Sequence, residues 1–173
     1  MNILPCAVCR TIYRFTQAGK RVIVRGIERT PAMSDEKPVV GKTKHTELTL
    51  DQIAGLQPGW GSLMPQISER WWICYYAAKA GHWKLASYAL RKVQNLFKTG
   101  ALTRPKHAVM AQNYDKDFLQ PVAQAVAAGD FAAFDAAFKR ATDEGNRLHV
   151  AVGHGEIIWT LPADPPKHLK MTP

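Results

Sequence analysis

The chain has 173 residues, enough for one domain with tails and a real apolar core. Apolar residues make up 46% of it, and no run approaches the roughly 18 apolar residues of a membrane span, so the body is expected to be soluble and cytoplasmic, with no membrane partner. The formal charge of +9 would suit nucleic acid, but residues 1–33 hold six basic residues against one acidic, while residues 34–173 hold 17 against 13. A body so nearly balanced argues against a nucleic-acid partner.

Residues 1–45 read as a disordered basic leader, residues 46–160 as a helical bundle and residues 161–173 as a Pro-rich tail. The leader lacks the apolar core of a secretory signal; its scattered Arg resemble a transit peptide, while Met33-Ser-Asp-Glu-Lys37 reads as a natural start of translation. Cys6 and Cys9 form a CxxC, but no second ligand pair lies nearby, and Arg10 stands where a c-type haem attachment needs His. The pair is either a metal or redox element or part of an unstructured leader.

The body opens with Thr49, which can cap a short helix ended by Gly55 or Gly59. The first long helix is expected over Ser62–Ala80, with Ser62 as N-cap, Pro65 tolerated in the first turn and Gly81 as the stop. Leu63, Ile67, Trp71, Cys74, Tyr75 and Ala78 recur at three- and four-residue steps, the pattern of a buried stripe. A second helix is expected over His82–Thr99, with Leu85 or Ala86, Ala89, Val93 and Leu96 inward and Gly100 opening a link. A third runs from Pro105 to Ala128 with Met110, Tyr114, Phe118, Val122 and Val126 inward, and Pro121 should kink or break it by deleting a backbone hydrogen bond and clashing with the preceding turn. The fourth is expected over Asp130–Val152, with Phe134, Phe138 or Ala137, Ala141, Gly145, Leu148 and Val152 in a row.

Two stretches repeat weakly 48 positions apart: Ala77 to Lys92 and Ala125 to Arg140, each a helix end, a Gly, a polar residue, an aromatic and a new helix start. Links this short make antiparallel hairpins, with Trp83 and Phe131 packing over their own turns. The predicted fold is therefore all-α, an antiparallel up-down-up-down four-helix bundle with a short N-terminal helix and an extended C-terminal tail. Ile157, Trp159 and Leu161 are too apolar to leave in water, at about 1.5–3 kcal/mol each, so the tail should fold back on the bundle.

The fourth helix ends in Gly145-Asn-Arg-Leu-His149. A bundle ending this way resembles the cytochrome c′ family, whose Cys-x-x-Cys-His motif near the end of the fourth helix attaches haem and supplies the iron ligand. Gly145 and Leu148 stand where the cysteines would be, and His149 stands at the ligand position. The resemblance implies a bundle without covalent haem that can still hold haem or another small apolar ligand. His149 would be the metal ligand, with Gly145 and Leu148 beside it and Met64, Trp71 and Tyr75 opposite. His149 can equally be a half-buried residue at the negative end of the helix dipole, with aromatics filling the space.

His107, His149, His154 and His168 could converge on a metal, but none is paired at helical spacing, and no Glu-x-x-His pair exists to support a di-iron bundle. Trp72 and Tyr76 lie on the strip beside the core face and suit a homodimer surface, which supports the alternative of a cofactor-free protein that self-associates. No acid, base and nucleophile fall together, so enzymatic activity is not expected.

Overall fold

The computed structural model describes residues 40–173 and, before them, only the strand residues 14–15 and 21–22. Met33, Cys6 and Cys9 lie outside the described residues. The chain divides into two units, Met1–Thr49 and Leu50–Pro173.

In the first unit, β1 (Arg14–Phe15) pairs antiparallel with β2 (Arg21–Val22), and β3 (Val40–Lys42) with β4 (Glu47–Thr49). Residues 40–45, expected as disordered leader, thus belong partly to a hairpin. Its turn is organised by one hydroxyl: Thr43 Oγ1 accepts from the amides of His45 and Thr46 at 3.2 and 3.0 Å. Such side-chain turns are set locally, so a short strand pair can form without a long alternating pattern.

The second unit is built of helices. The short α1 (Leu50–Gly55) follows Thr49 and ends at Gly55. The first long helix, α2 (Trp60–Lys79), starts two residues earlier than predicted, from Gly59 rather than from a Ser62 cap. Pro65 consequently lies inside the helix. It deletes the bond to the Gly61 carbonyl, but both residues are exposed, so water can satisfy that oxygen. All six residues of the predicted stripe are buried.

α3 (Trp83–Thr103) continues through Gly100, where a link was expected. Gly100 is buried, and a Cβ there would stand 2.6 Å from the ring of Trp60. The missing side chain therefore makes room for an indole rather than ending the helix. The segment before Trp60 is tied to the end of α3: Thr103 Oγ1 donates to the Pro58 carbonyl at 2.8 Å, and the Arg104 guanidinium donates to Gln57 O at 3.2 Å.

A 3₁₀ turn at Pro105–His107 leads into α4 (Ala108–Tyr114), a π-helical turn at Asp115–Leu119 and α5 (Gln120–Ala128). The break expected at Pro121 takes this form. Pro121 has no N–H and would strike the preceding turn, and the wider π turn just before it relieves both problems. Gln94 on α3 donates to Asp115 at 3.0 Å where that turn begins. The last helix is α6 (Phe131–Ala151), capped by Asp130, which accepts from the Ala133 amide at 3.1 Å. No helix among the described residues is long and apolar enough to cross a membrane.

The 48-residue repeat corresponds to two matching helix stops. After α2 the His82 amide donates to Ala77 O and the Gly81 amide to Ala78 O; after α5 the Asp130 amide donates to Ala125 O and the Gly129 amide to Val126 O. Both are Schellman motifs, which require a left-handed residue; Gly81 and Gly129 supply it at φ +74° and +67°. His82 and Asp130 then cap the next helices. Trp83 differs from expectation: it lies over Gly129 of the other link, 3.5 Å from where a Cβ would be, and meets Phe134 edge-on. Phe131 packs on Phe134 and Tyr75.

α2 packs along α3, α5 along α6 and α3 along α4, and α2 also meets α6. The α2–α6 seam is aromatic. Trp71 stacks on Phe138 at 4.0 Å and 12° between ring planes, and Tyr75 packs on both Phe134 and Phe138. The tail returns to this seam as expected: the Trp159 ring lies 5.8 Å from Trp72, and the Tyr76 hydroxyl donates to the Pro162 carbonyl.

Two consequences can be measured. Gly100→Ala should lower stability by about 1–3 kcal/mol, as overpacking does, because the Trp60 ring must shift. Gly61→Ala, where a Cβ meets nothing within 4 Å, should gain up to about 1 kcal/mol from helix propensity. Urea midpoints that moved the same way for both would contradict this packing. Asp135 accepts from Lys139 at 2.6 Å and Tyr75 at 3.0 Å, and these bonds, that of Lys139 foremost, hold its carboxyl below the usual range. A depressed folded-state pKa adds stability above the unfolded value, and that stability is lost as pH falls through the folded one. Urea titrations from neutral pH to below about pH 4, the ordinary Asp range, should therefore show a shallower acid loss in Asp135→Asn than in the parent.

Candidate ligand-binding cavity

The buried stripe of α6 is interrupted at its C-terminal end. Phe134, Phe138 and Ala141 are fully buried, but Gly145, Leu148 and His149 are only half-buried. They border a cavity of about 600 Å³, within the range of about 300–1,000 Å³ typical of small-molecule sites. Helices α2, α3, α4 and α6 and the tail supply most of its lining, with His107 of the 3₁₀ turn and Leu119 of the π turn. α2 contributes Trp60, Met64 and Trp71; α3 contributes Val93 and Phe97; α4 contributes Met110 and Tyr114. α6 gives Thr142 with Gly145, Leu148 and His149, and the tail gives His154, Ile157 and Trp159.

The structure thus brings together Met64, Trp71, Gly145, Leu148 and His149 on one cavity, all named from the sequence. Tyr75 is not on it. That side chain is buried among Phe131, Phe134 and Phe138, with its hydroxyl bonded to Asp135. One helical step from Trp71 is enough to turn it toward the closed core. Trp72 and Tyr76, proposed above as a dimer strip, lie against the chain's own tail.

Gly145 borders the cavity and has the Tyr114 hydroxyl beside it: a Cβ there would stand 3.4 Å from that oxygen, in ordinary contact. Tyr114 is buried and donates to the Ala141 carbonyl at 2.8 Å, and burial pushes its ionisation well above the usual phenol range. Trp71 Nε1 donates to Thr142 Oγ1 at 2.9 Å, and Thr142 passes its own proton to the Phe138 carbonyl at 2.9 Å.

His149 sits one turn beyond Gly145. Its Nδ1 lies 3.0 Å from the Ile157 carbonyl, which can only accept, so Nδ1 carries the proton. In the neutral ring Nε2 is then a free electron pair, the arrangement in which a carbonyl orients an imidazole for metal or hydrogen-bond work. Three histidines line the cavity, His107, His149 and His154, yet no group of three His, Cys, Asp or Glu among the described residues is placed to hold a metal ion. His168 is elsewhere, 3.4 Å from Glu69 at the surface. Cys74 is fully buried in the core, where burial raises its thiol pKa, and it does not reach the cavity.

The tail wall, like Phe97 and Tyr114, was not assigned to the site from the sequence. It is fixed by Asn146, which accepts from the Trp159 amide at 2.7 Å and donates to the Trp159 carbonyl at 2.9 Å. Two bonds to one residue fix both position and orientation. A Schellman stop starts the return: the amides of His154 and Gly153 reach His149 O and Val150 O, with Gly153 at φ +89°. Asn146 faces the tail one position from Gly145, but a lone Asn in a helix carries no spacing signal that would reveal this.

Asn146→Ala should release Trp159 and open one wall. Losing two hydrogen bonds of about 0.5–1.5 kcal/mol each should speed hydrogen exchange at the Trp159 amide while leaving amides in the middle of α3 unchanged; equal protection in both proteins would contradict the clamp. Comparison of the chain with protein families, with curated proteins and with solved structures finds no match.

Proposed function

We propose that α2, α3, the α4–α5 rod and α6 form an antiparallel up-down-up-down four-helix bundle that holds a small apolar ligand without covalent attachment, in the cavity beside His149. The observation that carries this reading is the cavity itself. It is ligand-sized, its walls come from four helices and the tail, and no Lys, Arg, Asp or Glu lines it. Burying an apolar molecule there would recover about 25 cal/mol for each Å² removed from water.

The cytochrome c′ likeness belongs to this proposal. Gly145 and His149, read from the fourth-helix motif, both border the cavity. The residues fit a haem in one respect, since His149 Nε2 is a free ligand atom; they offer no cysteine for covalent attachment and no lining cation for the propionates. Bound haem would supply an iron with a coordination position for that nitrogen. The rest is done by this chain: Ile157 O holds the imidazole, and Trp71 and Met64 give the apolar faces. Self-association through Trp72 and Tyr76 has less support, because Trp159 and Pro162 of the same chain occupy that strip.

Two titrations of the purified chain test the reading. A neutral fluorescent hydrophobe, N-phenyl-1-naphthylamine, should bind with a blue-shifted, enhanced emission in both the parent and His149→Ala. Haem should give a Soret band shift that His149→Ala abolishes. Absence of any response to either probe would overturn the proposal.

A further inference from the structure

The cavity can be read further by following each of its protons. Trp71 gives its N–H to Thr142, Thr142 its hydroxyl proton to Phe138 O, and Tyr114 its proton to Ala141 O. Ser68 donates to Pro65 O at 3.3 Å, and His149 gives its Nδ1 proton to Ile157 O. The Trp60 indole N–H has no partner, but that nitrogen is sealed, with less than 1 Å² exposed, so a molecule in the cavity cannot reach it. His154 turns Nδ1 to Glu156 at 3.3 Å, so its Nε2 accepts in the neutral ring and donates in the protonated one. Apart from His107 and His154, the lining side chains have spent their protons on the protein.

What remains is an aromatic hollow with several imidazole nitrogens, of which His149 Nε2 is the one whose ring is oriented by a carbonyl. Trp60, Trp71, Phe97, Tyr114 and Trp159 all border it, and ring edges and faces of this kind favour another ring in offset or edge contact. A carboxylate or phosphate would find no Lys or Arg, and an ammonium no carboxylate, among the lining residues. A buried charge without a partner costs far more than the contacts can return. A purely hydrocarbon ring would leave the His149 electron pair desolvated and unused.

Resting on the ligand-binding reading above, we infer that the cavity selects an uncharged aromatic molecule bearing one N–H or O–H donor, such as an indole or a phenol, with His149 Nε2 as the accepting atom. His149 is then the specificity-determining residue, and Ile157 O positions it. The lone pair that would ligate iron is, for such a molecule, the hydrogen-bond acceptor.

The test uses the full chain and two bicyclic probes of nearly the same shape: indole, which has an N–H, and indene, which has a CH₂ in its place. Each is titrated against bound N-phenyl-1-naphthylamine. Indole should displace it at about tenfold lower concentration than indene, the scale of one desolvated hydrogen bond. His149→Leu should abolish that preference, and His149→Gln, which keeps an acceptor oxygen, should restore part of it. Indole-3-acetate, anionic at neutral pH, should bind more weakly than indole. Equal potency of indole and indene in the parent chain would overturn this inference and leave the cavity reading standing, and that measurement needs no variant to fold. A preference that persists in His149→Leu would also overturn it. Failure of the fluorescent probe to bind at all would remove both readings.

Discussion

The stacking of Trp71 on Phe138 is the contact on which the rest of the helical unit depends. α2–α3 and α5–α6 are each joined by a link too short to go astray, but nothing in the covalent chain brings α2 to α6. The stack does so, at 4.0 Å and near parallel. Its edges are tied as well: the Trp71 N–H goes to Thr142, and Thr142 returns a proton to the backbone of Phe138. An indole held by its face and by its nitrogen has no freedom left to slide, so the register of α2 against α6 is set at one point.

That point also divides the interior into two regions of different character. Toward the α5–α6 link, Tyr75, Phe131, Phe134 and Phe138 pack against one another. Toward the end of α6 the side chains shrink to Ala141, Thr142 and Gly145, and the volume they give up is the cavity. The α6 sequence thus changes from phenylalanines to small residues along a single face, and the hollow is the direct product of that change. Tyr114 is the exception, reaching from α4 to the Ala141 carbonyl and bounding the space beside Gly145.

Much of this was legible in the sequence because it is written in local chemistry. The apolar stripe of α2, the stops at Gly81 and Gly129 and the 48-residue repeat each follow from backbone conformation or helical period, which neighbours in the chain determine. Gly100 was misread for the converse reason. A glycine looks the same in sequence whether it ends a helix or makes room for Trp60 forty residues away, and only packing separates the two. Pro121 lies between these cases: that the helix must deform was evident, but the choice of a π turn over a kink depends on what α3 offers at Asp115. Within the candidate site, the α6 residues could be named because a single helix carries them. The contributions of Tyr114, Phe97 and the tail could not, since they meet His149 only after three helices have packed. Tyr75 was assigned to the wrong side of α2 because Trp71 and Tyr75 share a stripe whose two halves face the filled and the hollow regions.

The clamp between Asn146 and Trp159 has a consequence for the order of events during synthesis. Every helix of the unit is complete by Ala151, and the stack that closes α2 on α6 needs nothing later. The residues that wall the cavity and cover Trp72 and Tyr76 leave the ribosome after all of them. Without the tail the finished helices would present an unroofed aromatic cleft at Trp72 and Tyr76, and Trp159 is the indole that lies against it. The tail thus acts as a built-in late escort, removing from view a sticky surface that the helices necessarily create before they can hide it.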